Sequence, residues 1–122
     1  MALNEIFKDA DSLSYPVADT VESGDLVAVG GVIGVAETDA REARDVSGGY
    51  VATLRHVGVF EFDSVDAGAV SVGDIVYGVP ADLAAGTKEV TVDDDSGTNV
   101  PVGVVYRGKA AGAGPVYVRI NN

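Results

Sequence analysis

With 122 residues and no cysteine, the chain is long enough for one core that buries roughly two thirds of its unfolded surface, and it excludes disulfides, thiolate zinc sites and a cysteine nucleophile. Nineteen acidic side chains against eight basic ones give a formal charge of −11, which argues against a phosphate backbone as partner, because that contact depends on clustered Lys and Arg. The longest apolar run, residues 26–36, contains three glycines and falls well short of the roughly 20 residues of a membrane-spanning helix.

In chain order, the N-terminal segment mixes Leu3, Ile6 and Phe7 with charges and shows neither helical nor strand periodicity before Tyr15-Pro16. Residues 1–16 therefore read as an N-terminal arm ahead of a single β domain at 17–122. The opening MALNEIFKDADSL carries acids and has no basic start before an apolar stretch, so no export signal is expected. Gly24-Asp25 signals a turn. Residues 26–29 and 32–36 are short β-type runs that meet at Gly30-Gly31, a pair that accepts the positive φ of a two-residue hairpin. Residues 37–49, ETDAREARDVSGG, are charged, and the helix-like DAREARD has no apolar face, so a surface loop with at most one solvated helical turn is expected there.

Residues 50–62, YVATLRHVGVFEF, form the longest strand candidate. Alternation puts Ala52, Leu54, His56, Gly58, Phe60 and Phe62 on one side and Val51, Thr53, Arg55, Val57, Val59 and Glu61 on the other. Gly58 marks a bulge or a close backbone approach. Further strands are expected at residues 75–79, 89–92, 102–107 and 116–120, separated by PADLAAGTK, DDDSGTNVP and GKAAGAGP. About seven or eight short strands punctuated by glycine predict an all-β fold, a small β-barrel or sandwich. Gly73-Asp74 repeats the earlier Gly-Asp pair, again ahead of an apolar run. Each pair supplies a tight turn with a side-chain acceptor for nearby amides, then a strand whose two faces are both largely buried.

Chemistry is sparse. His56 is the one histidine, and it shares a strand face with Leu54 and Phe60, the setting of a hydrogen-bonded core residue; with no second His or Cys it completes no metal site. The acidic stretch at Asp93, Asp94 and Asp95 fails as an EF-hand, because the sixth position counted from Asp93 is Thr98 and the twelfth is Val104. A solvated turn is expected, with cation binding there left open. GGVIG and GAGP fit no phosphate-binding loop, and no GxSxG elbow is present. No catalytic residue, cofactor or metal ligand is predicted, and an enzyme is not expected. VSVGDIV at residues 70–76 fits a turn of carrier barrels that bear lipoyl or biotin, but Lys88 in GTKEV and Lys109 in GKAAG lack the flanks of a modified lysine. A small carrier or ligand-binding barrel is the alternative reading. Thirteen of the acids are Asp and only three residues are Lys, a bias that fits either a salt-loving host or a GC-rich genome.

The order of these signals resembles a known family. After a polar arm come V-x-S-G-D-x-V-x-V-G-G-x-x-G-V-A-x-T-D at residues 21–39, G-V-F-E-F at 58–62, V-G-D-x-V-Y at 72–77, V-G-V-V at 102–105 and V-Y-V-R-I at 116–120. Over nearly its whole length the chain is similar to the small capsid decoration, or cement, proteins of tailed viruses, with a longer and more charged loop at 37–49. The resemblance implies a non-enzymatic β protein without cofactors. It would be assembled in the host cytoplasm and sit as homotrimers on the outer surface of the virion head, over junctions between major capsid protein subunits, where it stabilises the shell. The implied partners are the major capsid protein and other copies of this chain, with no direct nucleic acid and no membrane. Leu3, Ile6, Phe7, Tyr15 and Pro16 are then expected to contact the capsid. Tyr77, Tyr106 and Tyr117, aromatic residues that a core of this size need not absorb, are expected at the oligomer interface. An acidic exterior would keep particles apart.

Overall fold

The two Gly-Asp corners fold alike in the computed structural model, which describes residues 12–42, 49–112 and 114–121. The third residue of each four-residue turn is a glycine at positive φ, 90° for Gly24 and 93° for Gly73, the conformation that favours glycine at this place in a type II turn. The aspartate N–H returns to the carbonyl of the first residue, Asp25 to Glu22 at 3.0 Å and Asp74 to Ser71 at 3.1 Å. Its carboxylate accepts the N–H of that same residue, at 2.9 Å in both turns. The likeness extends to the facing strand: Gly24 donates to Ala36 and Ala36 to Asp25, as Gly73 donates to Val105 and Val105 to Asp74. A short carboxylate thus satisfies amides the turn would leave bare, and the residues that follow enter a strand already clamped to its neighbour.

Among the described residues there are ten strands: β1 (Ser12–Val17), β2 (Leu26–Val29), β3 (Val32–Ala36), β4 (Arg41–Glu42), β5 (Tyr50–Arg55), β6 (Val57–Ser64), β7 (Ile75–Gly78), β8 (Glu89–Val90), β9 (Val100–Arg107) and β10 (Gly114–Asn121), with one helix, α1 (Pro80–Ala85). Sheet A runs β1-β5-β3-β2, with β4 also on β5, and sheet B runs β7-β9-β10-β6-β8. The all-β class is as expected; the strands beyond those anticipated are β1, the two-residue β4 and one more from the division of residues 50–62 into β5 and β6. Sheet A is curled. Sheet B is nearly closed into a barrel, because Tyr77 and Thr91 exchange both backbone hydrogen bonds, at 2.7 and 3.0 Å, and so join the chain after β8 to β7. A second reciprocal pair, between Leu26 and Thr87, ties sheet A to that ring.

Burial on both faces of the first hairpin follows from this arrangement. Leu26 and Val35 belong to the main core with Phe62, Val76, Leu83, Val116, Val118 and Ile120, whereas their neighbours Val27 and Ala36 belong to a smaller core with Val21, Ala52 and Leu54. The hairpin is therefore a partition between two apolar clusters, which is why it reads as a continuous apolar run rather than an alternation. Its turn has positive φ at Gly30, 59°, the first central position, as a type II′ turn requires.

Three expectations are corrected. Residues 50–62 are not one strand: the chain breaks at His56, with β5 in sheet A and β6 in sheet B. The alternation survives the break, since Ala52, Leu54, His56 and Phe62 are all buried, so the side-chain pattern alone does not betray it. PADLAAGTK is not merely a connection, because it holds α1: Pro80 begins the helix, where its missing N–H does no harm, and Leu83 inserts into the main core as the helix's buried residue. Within DAREARD, Arg41–Glu42 forms β4, in register with Val51 and Tyr50, rather than a helical turn; residues 43–48 lie outside the described residues. At the N-terminus, β1 pairs along its length with β5, from Ser12 opposite Arg55 to Val17 opposite Tyr50. The boundary drawn at residue 16 thus falls inside a paired strand.

Candidate interaction surface

Alternation along sheet B sorts its side chains cleanly. Phe62, Val76, Val102, Val105, Val116, Val118 and Ile120 are buried. On the outward side one row crosses four strands: Ile75 lies opposite Val104, Val104 opposite Arg119, and Arg119 opposite Val59. All four are exposed. The next row is shaped by a bulge, in which Tyr117 pairs with Arg107 but Val118 pairs with Val105, leaving Tyr106 as an extra residue in β9. Since Val105 points inward, Tyr106 and Arg107 both face out, Tyr106 with 59% of its surface exposed. The Arg107 guanidinium lies 5.4 Å from the centre of the Tyr117 ring, a cation–π contact that holds both side chains upright on the sheet.

Of the residues expected at the oligomer interface, Tyr106 and Tyr117 come together on this face. Tyr77 shares the outward side of β7 with Ile75 but stands opposite Pro101, beside a groove of about 40 Å³ also lined by Val65, Val79, Val90, Asp82 and Glu89. That volume holds little more than a water molecule and is far below the roughly 300 Å³ at which small-molecule sites begin. The residues expected to contact a capsid are elsewhere. Tyr15 is half-buried in β1, its ring 5.3 Å from that of His56 in an edge-on stack. Pro16 is exposed in the same strand, opposite Val51, and lacks only an N–H that no neighbour seeks there. Leu3, Ile6 and Phe7 lie outside the described residues. Reasoning from sequence missed Arg107 and Arg119, although the VYVRI alternation around Arg119 was a usable signal.

The basic side chains divide in a telling way. Lys88 is ion-paired with Asp25, which is only 4% exposed, and more loosely with Glu22; the Asp25 hydrogen bond holds the Lys88 ammonium above its usual pKa range, against a smaller opposing effect of burial. Lys109 donates to the carbonyls of Asp66, Gly68 and Gly112. Both amines are held by partners, unlike the free amine of a carrier lysine. Arg55 pairs with Glu37 and donates to the Val57 carbonyl, and Arg41 donates to Thr38 Oγ1. Among the described residues, Arg107 and Arg119 alone of the cations have no hydrogen-bond or ion-pair partner, and both stand on the outward face of sheet B.

The remaining polar groups serve the scaffold. Burial raises the Asp66 carboxyl, but hydrogen bonds from Thr91, the Val92 N–H and Ser64, with the Lys109 charge, together outweigh it and leave the group below its usual value. Asp66 thereby fastens the strand end after β6 to the segment after β8. His56 is buried with Nδ1 facing the Ile33 carbonyl at 3.4 Å, a core histidine as expected. The acidic turn closes on itself, with the Asp95 N–H donating to Asp93 Oδ1 at 2.9 Å and the Asn99 N–H to the Asp94 carbonyl at 3.0 Å. Among the described residues no three His, Cys, Asp or Glu side chains gather as a metal site.

Comparison with known proteins gives one result. A family model described as phage cement protein matches residues 7–120. No curated protein and no solved structure matches the chain. Since the family match runs from the N-terminal segment into β10 and takes in both sheets, the chain belongs to the phage cement protein family, a structural family associated with the phage capsid.

Proposed function

We propose that this protein decorates the outer surface of a tailed-phage head, where it assembles as homotrimers at junctions between major capsid protein subunits and stabilises the shell. The family match across residues 7–120 is the observation that carries the reading. The scaffold is consistent with it: sheet B is nearly closed, two cores are divided by one hairpin, and the built polar clusters are spent on holding loops together. In this reading the N-terminal residues, with Leu3, Ile6 and Phe7, form an arm that docks on the capsid, and Tyr15 and Pro16 in β1 carry the contact onto sheet A. Such a segment gains little by folding back on its own domain and gains more by filling an apolar groove or extending a neighbouring sheet.

The test is binding to heads. Purified protein is mixed with phage heads that lack it, and the heads are sedimented and then challenged by heat. The full chain is expected to co-sediment at a fixed number of copies per head and to raise the temperature at which heads release their contents. A chain lacking residues 2–11 is expected to melt like the full chain but to stay in the supernatant. Failure of the full chain to bind would overturn the decoration reading, and full occupancy by the truncated chain would overturn the role of the arm.

A further inference from the structure

The chain carries 19 acids against 8 bases, yet its two unpartnered described cations, Arg107 and Arg119, stand together on one face among exposed apolar side chains. Val59, Ile75, Val104 and Tyr106 stand with them, and Val72, 72% exposed, lies in the Gly73-Asp74 turn, whose Gly73 N–H donates to the Val105 carbonyl of β9. Glu61 shares the face opposite Tyr117, with Asp63 and Glu89 exposed further along the same side, and none of the three forms an ion pair with either arginine. Arginine and tyrosine over an apolar floor is the composition of an interface centre. The arginines are also spaced for it: Arg107 is held by Tyr117, whereas Arg119 lies between two valines in the row below.

The geometry points to this outward face of sheet B as the contact between copies of the chain, seated against an acidic surface of the next copy. Charge selects the occupant, and the trimer sets the symmetry. A second copy is acidic over most of its exterior by composition, so carboxylates on it meet Arg107 and Arg119. A two-fold pairing of this face with itself ends at a dimer and cannot build the trimer proposed above. The contact is therefore head to tail, and head-to-tail contacts that close make rings. The inference rests on the homotrimer proposed above and adds to it the face, the two arginines and the acidic character of the opposing surface.

Sedimentation velocity and light scattering on the free protein test it, with circular dichroism to verify folding and head co-sedimentation run separately. The wild-type chain is expected to be trimeric. Arg107→Glu combined with Arg119→Glu is expected to raise the dissociation constant by about a hundredfold or more and yield monomer. Tyr106→Ser, a change at an exposed side chain, is expected to weaken association about tenfold. Arg41→Glu reverses one arginine charge away from the face and is expected to leave the mass unchanged. Folded double variants that remain trimeric with wild-type affinity would overturn the assignment of the face while sparing the trimer. A wild-type chain that is monomeric at every concentration would overturn the trimer and this contact together, and co-sedimentation would still report on decoration independently.

Discussion

The twin Gly-Asp turns allow a matched comparison, because Asp25 and Asp74 make the same backbone bond in different surroundings. Asp25 is 4% exposed and bound to Lys88 as well as to the Glu22 N–H, whereas Asp74 is more exposed and its carboxylate accepts from the Ser71 N–H alone. Replacing Asp25 by Ala removes a buried charge-assisted bond to an amide, about 1.5–3 kcal/mol, and leaves that amide without an acceptor. It also removes the Lys88 pair. The Lys88 side chain is 52% exposed, so solvent screening limits that pair to about 1 kcal/mol. The expected loss is about 2–4 kcal/mol. At Asp74 water replaces the carboxylate more readily, and Asp74→Ala is expected to lose about 0.5–1.5 kcal/mol. For a chain of 122 residues, roughly 4 °C of melting temperature accompanies each kcal/mol. Thermal melts at pH 7 should therefore place Asp25→Ala about 8–16 °C below wild type and Asp74→Ala about 2–6 °C below. Lys88→Met isolates the ion pair and should lower the midpoint by about 4 °C. Equal losses at the two aspartates, or the larger loss at Asp74, would refute the argument that burial and the Lys88 pair set the difference.

Acid should act through Asp66, whose carboxyl, against the opposing effect of burial, the hydrogen bonds from Thr91, Val92 and Ser64 hold below the usual carboxylate range. A depressed carboxylate stabilises the fold fully above its unfolded pKa and loses that contribution as pH falls through the folded one, so the stability gap between wild type and Asp66→Asn, measured by urea titration, should be present at pH 7 and shrink below about pH 4. A charge of −11 per chain makes self-repulsion a destabilising force that salt screens over about 10 Å at 0.1 M, so the melting temperature should rise between low and molar potassium chloride; an unchanged or falling midpoint would remove that claim. Gly108→Ala would place a Cβ 1.8 Å from the Val70 carbonyl oxygen, breaking the bridge between Val70 and Lys109, whereas a Cβ on Gly31 meets nothing within 4 Å. The first should lower the melting temperature by about 8 °C or more and the second by no more than about 2 °C.

Sequence reasoning succeeded where a local rule and the tertiary structure agree. Gly24-Asp25, Gly73-Asp74 and Gly30-Gly31 each need a backbone conformation that few residues accept, and each marks its corner correctly. The break at His56 was hidden because neither Gly nor Pro stands there and the inward pattern continues across it; what divides β5 from β6 is the choice of partners, β1 and β3 for one and β10 for the other. Helix α1 is six residues long, too short to show a helical period. Strand β1 pairs on one side only, so its outer residues carry no strong apolar demand and it blended into the charged segment before it. On the candidate surface, Tyr106 and Tyr117 were visible as surplus aromatics. Their association with Arg107 and Arg119 was not, since it depends on a one-residue bulge in β9 and on the register of β9 against β10.

The position of β10 has a consequence for how the molecule comes into being. Gly114–Asn121 is the middle strand of sheet B, flanked by β9 and β6, and it pairs residue for residue with Val57–Ser64 far upstream. Until the ribosome has delivered that segment, β6 and β9 have no common neighbour and the main core lacks Val116, Val118 and Ile120. The barrel therefore closes only after Gly114–Asn121 has been made, with long loops to close and the slow rates that such distant pairings bring. A chain without β10 lacks the strand on which the outward face of sheet B is aligned, so that face exists only in molecules in which β10 has docked.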